Sequence, residues 1–226
     1  MPRQDRASAA AVKRAPLFRT LPPAAAAHLA AGATMLNPPR GSKLFLSGRR
    51  CLGLYLVLSG RIMLSVVASD ARKVVELIGP GGYAGLAATV LDIPETVTAE
   101  MVTDGSLLLI PREVLLDCAA ENAALGLHLA VALGRHAHAL TADIEAFALH
   151  SGRKRVADFL LRLSDADGGR QRPLSLPAKK SVIASRLNLT PEYFSRMLHD
   201  LIADGTLAVN GRQITILDIA RLRQLD

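Results

Sequence analysis

Near the carboxyl end of the chain, polar residues recur at a helical spacing that suits contact with DNA bases. The set falls at i, i+3, i+4 and i+7, on one face of a helix: Glu192, Ser195, Arg196 and His199. Arginine can pair with guanine O6 and N7, and glutamate can accept from cytosine N4. Serine can donate to a base edge or a phosphate. We therefore predict base reading by Glu192, Ser195 and Arg196.

Other roles for these side chains stay open. Glu192 could instead complement the positive amino terminus of the helix, and Arg196 could contact phosphate alone. His199, one turn further on, is better placed for the DNA backbone than for a base.

The residues before this helix supply a helix start and a tight turn. Thr190 can cap the amino terminus, and Pro191 at the first helical position needs no amide partner. Asn188 occupies the turn position, where a left-handed conformation is needed and asparagine tolerates it. Residues 179–198 therefore predict two short helices joined by a turn, a helix-turn-helix.

A β-hairpin and a basic surface complete the predicted DNA-binding domain. Residues 203–216 predict the hairpin, with Asn210-Gly211 as a type I′ turn and Arg212 placed to meet a phosphate. Residues 151–226 hold 13 Lys/Arg against 8 Asp/Glu, a net +5, whereas the first 150 hold 14 against 12, a net +2. The basic excess accompanies the helical motif, as phosphate binding requires. The expected backbone contacts are Lys179, Lys180, Thr190, His199 and Arg212.

Upstream, the chain reads as a β domain followed by a long helix. Residues 35–110 form short runs rich in Val, Leu, Ile and Tyr, punctuated by glycine, which predicts a barrel or roll. After residue 120 an apolar stripe advances by three or four residues: Leu125, Leu129, Leu133, His136, Leu140, Ile144 and Phe147. A helix of roughly 28 residues would be about 42 Å long. We predict that it forms a two-helix seam between subunits, the alternative being a helix packed on the β roll.

The whole sequence limits the remaining possibilities. It has 226 residues, a net charge of +7 and two cysteines, Cys51 and Cys118. No apolar run approaches the roughly 20 residues of a membrane helix, and no disulfide framework or CxxC motif is present. We expect a cytoplasmic protein with no membrane association and no metal site. The predicted organisation is a disordered tail (1–15), an effector-binding β roll (16–120), a dimerisation helix (121–150) and a winged helix-turn-helix domain (151–226).

This order of elements resembles the Crp/Fnr superfamily of bacterial transcription regulators. The resemblance covers about residues 16–226 and includes the glycines of the roll: Gly41, Gly48, Gly60, Gly81 and Gly85. It implies an α+β fold with a cyclic-nucleotide-binding-like roll, a long dimerisation helix and a carboxyl-terminal winged helix-turn-helix. It also implies a homodimer that binds palindromic double-stranded DNA and contacts RNA polymerase.

Two positions depart from the pattern of the cyclic-nucleotide-binding members. Those members carry a glutamate that accepts from the ribose hydroxyl and an arginine that balances the cyclic phosphate. The matching residues here are Leu86 and Glu95, the latter followed by Thr96. Leucine cannot accept a hydrogen bond, and a carboxylate about 4 Å from a phosphate would be repelled by several kcal/mol. We therefore predict that no cyclic nucleotide binds. Two separated cysteines also argue against an iron–sulfur cluster, which needs about four thiolates.

Within the superfamily, Glu192-x-x-Ser195-Arg196 resembles the Fnr and nitrogen-oxide-responsive branches. The chain looks most similar to Dnr/NnrR-type regulators of denitrification, which respond to nitric oxide with haem as the usual proposal. This resemblance implies half-sites of the TTGA…TCAA type about one helical turn apart. It leaves haem as a possible cofactor, in a cleft between the roll and the long helix near His136 and His138. The predicted effector pocket comprises Leu86, Glu95, Thr96, His136 and His138.

Two other classes of function are alternatives to a ligand-switched regulator. One is a sensor of an unknown effector, other than a cyclic nucleotide, or a sensor whose output is protein–protein contact. The other is an enzyme, which the sequence does not favour. It carries no Walker-type loop, GxSxG elbow or HExxH motif, and its carboxylates and histidines form no recognisable catalytic cluster.

Overall fold

The computed structural model describes residues 5–68, 71–166 and 173–225. The strands are β1 (Asp5–Arg6), β2 (Thr34–Leu36), β3 (Lys43–Phe45), β4 (Gly53–Ser59), β5 (Ile62–Ala68), β6 (Ala71–Ile78), β7 (Tyr83–Ala84), β8 (Thr98–Met101), β9 (Ser106–Pro111), β10 (Leu174–Ser175), β11 (Leu207–Asn210) and β12 (Gln213–Ile216). The helices are α1 (Ala9–Arg14), α2 (Pro23–Gly32), α3 (Leu86–Leu91), α4 (Arg112–Glu121), α5 (Ala123–Leu149), α6 (Gly152–Ala166), α7 (Lys180–Arg186), α8 (Pro191–Ala203) and α9 (Ile219–Arg223). A short 3₁₀ helix spans Pro16–Phe18.

Two antiparallel sheets form the predicted roll. One has the strand order β1-β2-β9-β4-β7 and the other β3-β8-β5-β6. Strand β4, which lies between β9 and β7, is buried on both faces, because its successive side chains point to opposite sides of the sheet. Tyr55 and Val57 pack in the core between the sheets, whereas Leu54 and Leu56 pack in a second core beneath the helices. The α+β fold expected from the sequence is confirmed.

The amino-terminal segment differs from the predicted disordered tail over residues 1–15. Residues 1–4 lie outside the described residues, but Ser8 caps α1 by accepting a hydrogen bond from the Ala11 amide at 3.1 Å. Val12 is fully buried and belongs to the same core as α2 and α4. The sequence of α1 gives little indication of a helix, because its buried face consists mostly of small alanine side chains. These side chains become buried only against the rest of the fold.

The long helix belongs to both compact units of the chain, Met1–His138 and Ala139–Asp226. The first and second halves of its apolar stripe differ in burial. Leu125 and Leu129 are 0% and 6% exposed, in the core beneath the roll, so the structure corrects their assignment to a subunit seam. Leu140 and Ile144 are 39% and 69% exposed. Within the described ranges, no helix has the length and apolarity that crossing a bilayer requires.

Candidate nucleic-acid interface and effector domain

The recognition helix α8 is fixed by its cap and by its apolar face. The Thr190 hydroxyl accepts a hydrogen bond from the Tyr193 amide at 3.2 Å, which satisfies one of the free donors at the helix start. Phe194 and Leu201 are fully buried and Leu198 is 2% exposed. One side of α8 is therefore anchored in the domain while the other side stays available for DNA.

The turn between α7 and α8 has the predicted backbone and a clamp that the sequence did not reveal. Asn188 adopts the left-handed conformation, with φ of +58°. The Arg155 guanidinium, from α6, donates to the Leu187 carbonyl at 2.9 Å and to the His150 carbonyl at 2.6 Å. It thereby satisfies a carbonyl at the end of α7 and ties the turn to α6.

All four residues of the predicted reading face are exposed: Glu192, Ser195, Arg196 and His199. Arg196 does not extend freely, because its Cζ lies 5.7 Å from the centre of the Tyr193 ring. This distance is within the range of a cation–π contact. The Tyr193 ring packs closely against α6 at Gly152. A Cβ atom added to this glycine would lie only 2.6 Å from Tyr193 Cε1. Tyr193 is thus a positioning residue that the sequence analysis missed, although its i, i+3 spacing to Arg196 was visible.

Some of the residues predicted to contact the DNA backbone have exposed side chains, whereas others hydrogen-bond within the protein. Lys179 and Lys180 are exposed at the start of α7. Thr190 is exposed as well, and its hydroxyl accepts the capping hydrogen bond from the Tyr193 amide. Arg212 lies at the tip of the hairpin, but its guanidinium donates to the Leu176 carbonyl at 2.8 Å.

The hairpin turn is one residue later than predicted. Asn210 pairs with Gln213, so the two turn residues are Gly211 and Arg212 rather than Asn210 and Gly211. Gly211 has φ of +60° and Arg212 does not have a positive φ. A positive φ at the first central position alone fits a type II′ turn rather than the predicted type I′.

Asp204, at the carboxyl end of α8, gathers contacts from three parts of this domain. It accepts from the Thr206 amide at 3.1 Å and from the Thr206 hydroxyl at 2.5 Å. Arg153 lies 3.3 Å away and Arg221 3.7 Å away. The Thr206 hydrogen bonds, followed by the two arginines, hold the pKa of Asp204 below its ordinary value.

A second ion pair connects the helix-turn-helix to the end of the long helix. Arg186, in the last turn of α7, pairs with Asp143 of α5 at 2.5 Å, and both side chains are mostly buried. Arginine in the last turn also complements the negative end of the α7 dipole. The orientation of α7 against the end of α5 therefore depends on a charged contact.

In the β roll, the two positions that depart from the cyclic-nucleotide pattern are both buried. Leu86 is 3% exposed at the start of α3 and packs in the core beneath the helices. Glu95 is 9% exposed, and its Oε1 has no hydrogen-bond partner among the described residues. Burial raises the pKa of Glu95 above its ordinary value.

Glu95 lies beside Cys51 and the turn at Gly85. A Cβ built on Gly85 would be 3.4 Å from both Glu95 Oε1 and Cys51 Sγ, so both side chains approach this glycine. The Cys51 thiol lies 3.3 Å from the Thr89 hydroxyl, and burial raises its pKa. The backbone of Glu95 is fixed by the Gly48 amide, which donates to its carbonyl at 2.7 Å. The carboxyl thus occupies the interior without a cationic partner in the described chain.

The remaining residues of the predicted effector pocket do not join this cluster. Thr96 and His138 are exposed, and His136 Nδ1 lies 3.9 Å from Glu76 Oε2. A haem needs an axial donor next to an apolar slot, and neither histidine has that setting in the part of the chain that the structure describes. No group of three or more His, Cys, Asp or Glu side chains there could hold a metal ion.

The two halves match two family models. Residues 36–122 match the cyclic nucleotide-binding domain, and residues 154–225 match the Crp-like helix-turn-helix domain. The exposed reading face described above lies within the second match. The chain is a DNA-binding transcription regulator of the Crp/Fnr type.

Several proteins resemble this Crp/Fnr-type regulator over most of its length. The CRP-like cAMP-activated global transcriptional regulator of Mycobacterium tuberculosis is 24% identical over 92% of this chain and 95% of that protein. The nitrogen fixation regulation protein FixK of Azorhizobium caulinodans is 29% identical over 83% of this chain and 77% of its own. The structure of FixK2 from Bradyrhizobium japonicum superimposes with a TM-score of 0.79 at 24% identity, over 86% of this chain and 97% of that one. These likenesses do not single out the Dnr/NnrR branch, which stays a prediction.

Proposed function

We propose that this regulator acts as a homodimer that reads TTGA…TCAA-type palindromes and is switched by an effector other than a cyclic nucleotide. The observation that carries the DNA part is the exposed face of α8. Glu192, Ser195 and Arg196 lie on the solvent side of a helix whose opposite side is buried. The stacking of Arg196 on Tyr193 limits the freedom that the guanidinium would lose on pairing with guanine.

A gel-shift experiment tests base reading by Arg196. The wild-type protein should bind a TTGA…TCAA duplex far more tightly than a scrambled duplex of the same length. Arg196→Ala should remove this preference, because each good bidentate contact contributes about 1–3 kcal/mol of discrimination. Binding to the scrambled duplex, which depends on phosphate contacts and salt, should change little. Equal losses on both duplexes would contradict base reading and leave Arg196 with a phosphate contact.

The dimer rests on a second stripe of α5, displaced from the buried one. Its members alternate in steps of four and three, the heptad spacing of a coiled-coil seam: Gly126, Ala130, Leu133, Ala137, Leu140, Ile144 and Phe147. Small residues in the first half allow close approach of two helices, and Leu140 and Ile144 are exposed. We assign the seam to this stripe, which keeps Leu133, Leu140, Ile144 and Phe147 from the prediction and drops Leu125, Leu129 and His136.

The exclusion of cyclic nucleotides rests on Leu86 and Glu95. Relatives named as cAMP-activated or cyclic AMP receptor proteins match this chain over most of its length. Here, however, the positions that the resemblance aligns with the ribose and phosphate contacts carry Leu86 and Glu95, and both side chains are buried. Calorimetry with cyclic AMP tests this directly. Saturable binding in the micromolar range would overturn the exclusion.

Two finer parts of the proposal need their own tests. Haem-based sensing of nitric oxide stays a prediction, and an absorption spectrum with added haemin and nitric oxide tests it through a Soret band that shifts. Contact with RNA polymerase rests on the family resemblance alone. The alternative output, protein contact without sequence-specific DNA binding, would give no difference between the palindromic and scrambled duplexes in the gel shift.

A further inference from the structure

A cavity of about 330 Å³ lies at the surface of the amino-terminal unit, and its lining includes neither Leu86 nor Glu95. Three parts of the chain meet there: the 3₁₀ helix with the following turn, the loop before β7, and the first half of α5. Its size is within the range of small-molecule sites. The lining residues are Pro16, Leu17, Thr20, Gly81, Tyr83, His128, Val131, Ala132 and Arg135.

The walls of the cavity are held together by specific contacts. The Tyr83 hydroxyl donates to the Ala132 carbonyl at 2.9 Å, which joins β7 to α5. Gly81, with φ of +87°, brings its loop against the 3₁₀ helix, where an added Cβ would lie 3.2 Å from Pro16 Cδ. The Thr20 hydroxyl lies 3.3 Å from His128 Nε2, and this contact joins the turn after the 3₁₀ helix to α5. The cavity is therefore built by paired contacts rather than by a gap between loose segments.

The polar groups of the lining favour an anion. Arg135 forms no hydrogen bond or ion pair with any described residue, and His128 Nδ1 is buried without a partner in that part of the chain. None of the lining residues is a carboxylate. Glu76 and Arg135 both act electrostatically on the Tyr83 hydroxyl, and Glu76 lies 3.9 Å from His136. The rest of the lining is largely apolar, with Pro16, Leu17 and Val131 on its walls.

The cavity is also clear of the proposed subunit seam. At 3.6 residues per turn, Val131 and Arg135 lie on nearly the opposite side of α5 from Leu133, Leu140 and Ile144. Pairing of two α5 helices along the seam would therefore leave the mouth of the cavity open. A ligand there would contact both the roll and the dimerisation helix of one subunit.

We propose that this cavity binds a small carboxylic acid with an apolar body. The carboxylate pairs with Arg135, with the Thr20 hydroxyl as a further hydrogen-bonding group, and the body lies against Pro16, Leu17 and Val131. The ligand class follows from the lining alone. That such a ligand is the effector rests on the proposed function, because it supposes a regulator switched through α5.

Calorimetric titration of the full-length protein with octanoate tests the site, with octan-1-ol as the uncharged counterpart. Octanoate should bind saturably, and octan-1-ol at least tenfold more weakly, since a hydrogen bond to a charged group accounts for roughly a tenfold to hundredfold difference in affinity. Arg135→Gln should weaken octanoate by about the same factor. Arg49→Gln, at an exposed arginine elsewhere in the same unit, should leave it unchanged. Val131→Glu, which places a negative charge in the wall, provides a second test.

Each result decides the proposal. Octanoate binding that falls in Arg135→Gln and Val131→Glu but not in Arg49→Gln supports the site. No binding to the wild-type protein, equal binding of octan-1-ol, or full binding by Arg135→Gln overturns it. The gel shift with the palindromic duplex, run on the same preparations, separates this outcome from the proposed function. Arg135→Gln should still shift the duplex, and a wild-type protein that fails to do so would overturn the DNA-reading proposal instead.

Discussion

Two carboxylates show how differently the two halves of this regulator are built. Asp204, in the helix-turn-helix domain, accepts hydrogen bonds from Thr206 and lies within 4 Å of Arg153 and Arg221. Glu95, in the roll, is more deeply buried, and its Oε1 has no partner among the described residues. The first environment lowers the pKa of its carboxyl group, and the second raises it.

The contrast matches the tasks proposed for the two halves. A domain that reads DNA must hold its recognition helix in one orientation, and the Thr190 cap at the start of α8 and the charged contacts of Asp204 at its end do so. A domain that responds to a ligand must have two states of similar free energy. A buried carboxyl group with one unpartnered oxygen disfavours the described arrangement, which makes a second arrangement more accessible.

The largest effect is expected from removing a core aromatic ring of the DNA-binding domain. Phe194→Ala empties a fully buried site and should destabilise this domain by about 3–5 kcal/mol. Hydrogen exchange would show the loss of protection in α7 and α8. The matched change in the other unit is Phe18→Ala, also at a fully buried site, which should lower protection in α1, α2 and α4 instead. Equal loss in both units from either change would contradict separate stabilities.

Two substitutions in α5 distinguish residues that stabilise the fold of one chain from residues that hold two chains together. Leu125→Ala should reduce the free energy of unfolding by about 2–5 kcal/mol, because Leu125 is fully buried in its own chain. Ile144→Glu, at a 69% exposed position, should leave the fold intact but dissociate the dimer and abolish palindrome binding. Sedimentation velocity measures the mass. A dimer that persists in Ile144→Glu would place the seam elsewhere on the helix.

The helix-turn-helix could be predicted from the sequence because its signals are local. The Thr190 cap, Pro191 and the left-handed Asn188 lie within a few residues of one another, and each has a preference that needs no distant partner. The error in the hairpin arose in the same way. Asn-Gly has a strong local preference for a type I′ turn, but the pairing of β11 with β12 sets the turn one residue later.

The roll and the long helix were harder to predict because their outcome depends on distant contacts. The stripe through Leu125 and Leu140 has one spacing, yet the first residue is fully buried in the core beneath the roll and the second is exposed. Helical periodicity identifies a face but not what covers it. The cavity at Arg135 likewise joins residues more than 100 positions apart, from Pro16 to Arg135, so no local pattern could indicate it.

A smaller effect is expected from releasing the clamp on the turn. Arg155→Met keeps much of the apolar stem but removes the hydrogen bonds to the Leu187 and His150 carbonyls. The cost should be about 1–3 kcal/mol, the range for hydrogen bonds from a charged group. Urea denaturation measures it. Arg162→Met, at an exposed arginine on the same helix, is the matched control, and an equal loss there would show that Arg155 acts only as a surface charge.

The smallest effects concern pH, and they should have opposite signs in the two halves. The pKa of Asp204 is lowered from 3.8, so its stabilisation is present above that value and is lost as the pH falls through the folded-state pKa. The pKa of Glu95 is raised from 4.5, so its favourable contribution is present below that value and is lost as the pH rises through the folded-state pKa. Protonation of Asp204 should therefore destabilise the DNA-binding domain, and protonation of Glu95 should stabilise the roll.

Hydrogen exchange at several pH values resolves the two contributions, since it reports on each region separately. Glu95→Gln removes the buried charge, so protection of the roll in this variant should exceed that of the wild-type protein at neutral pH, with the difference shrinking toward pH 4.5. Asp204→Asn should reduce protection of α8 and α9 at neutral pH, with the difference shrinking below pH 3.8. If Glu95→Gln lost protection at neutral pH, the carboxylate would have a stabilising partner, and the roll would not differ from the DNA-binding domain in this respect.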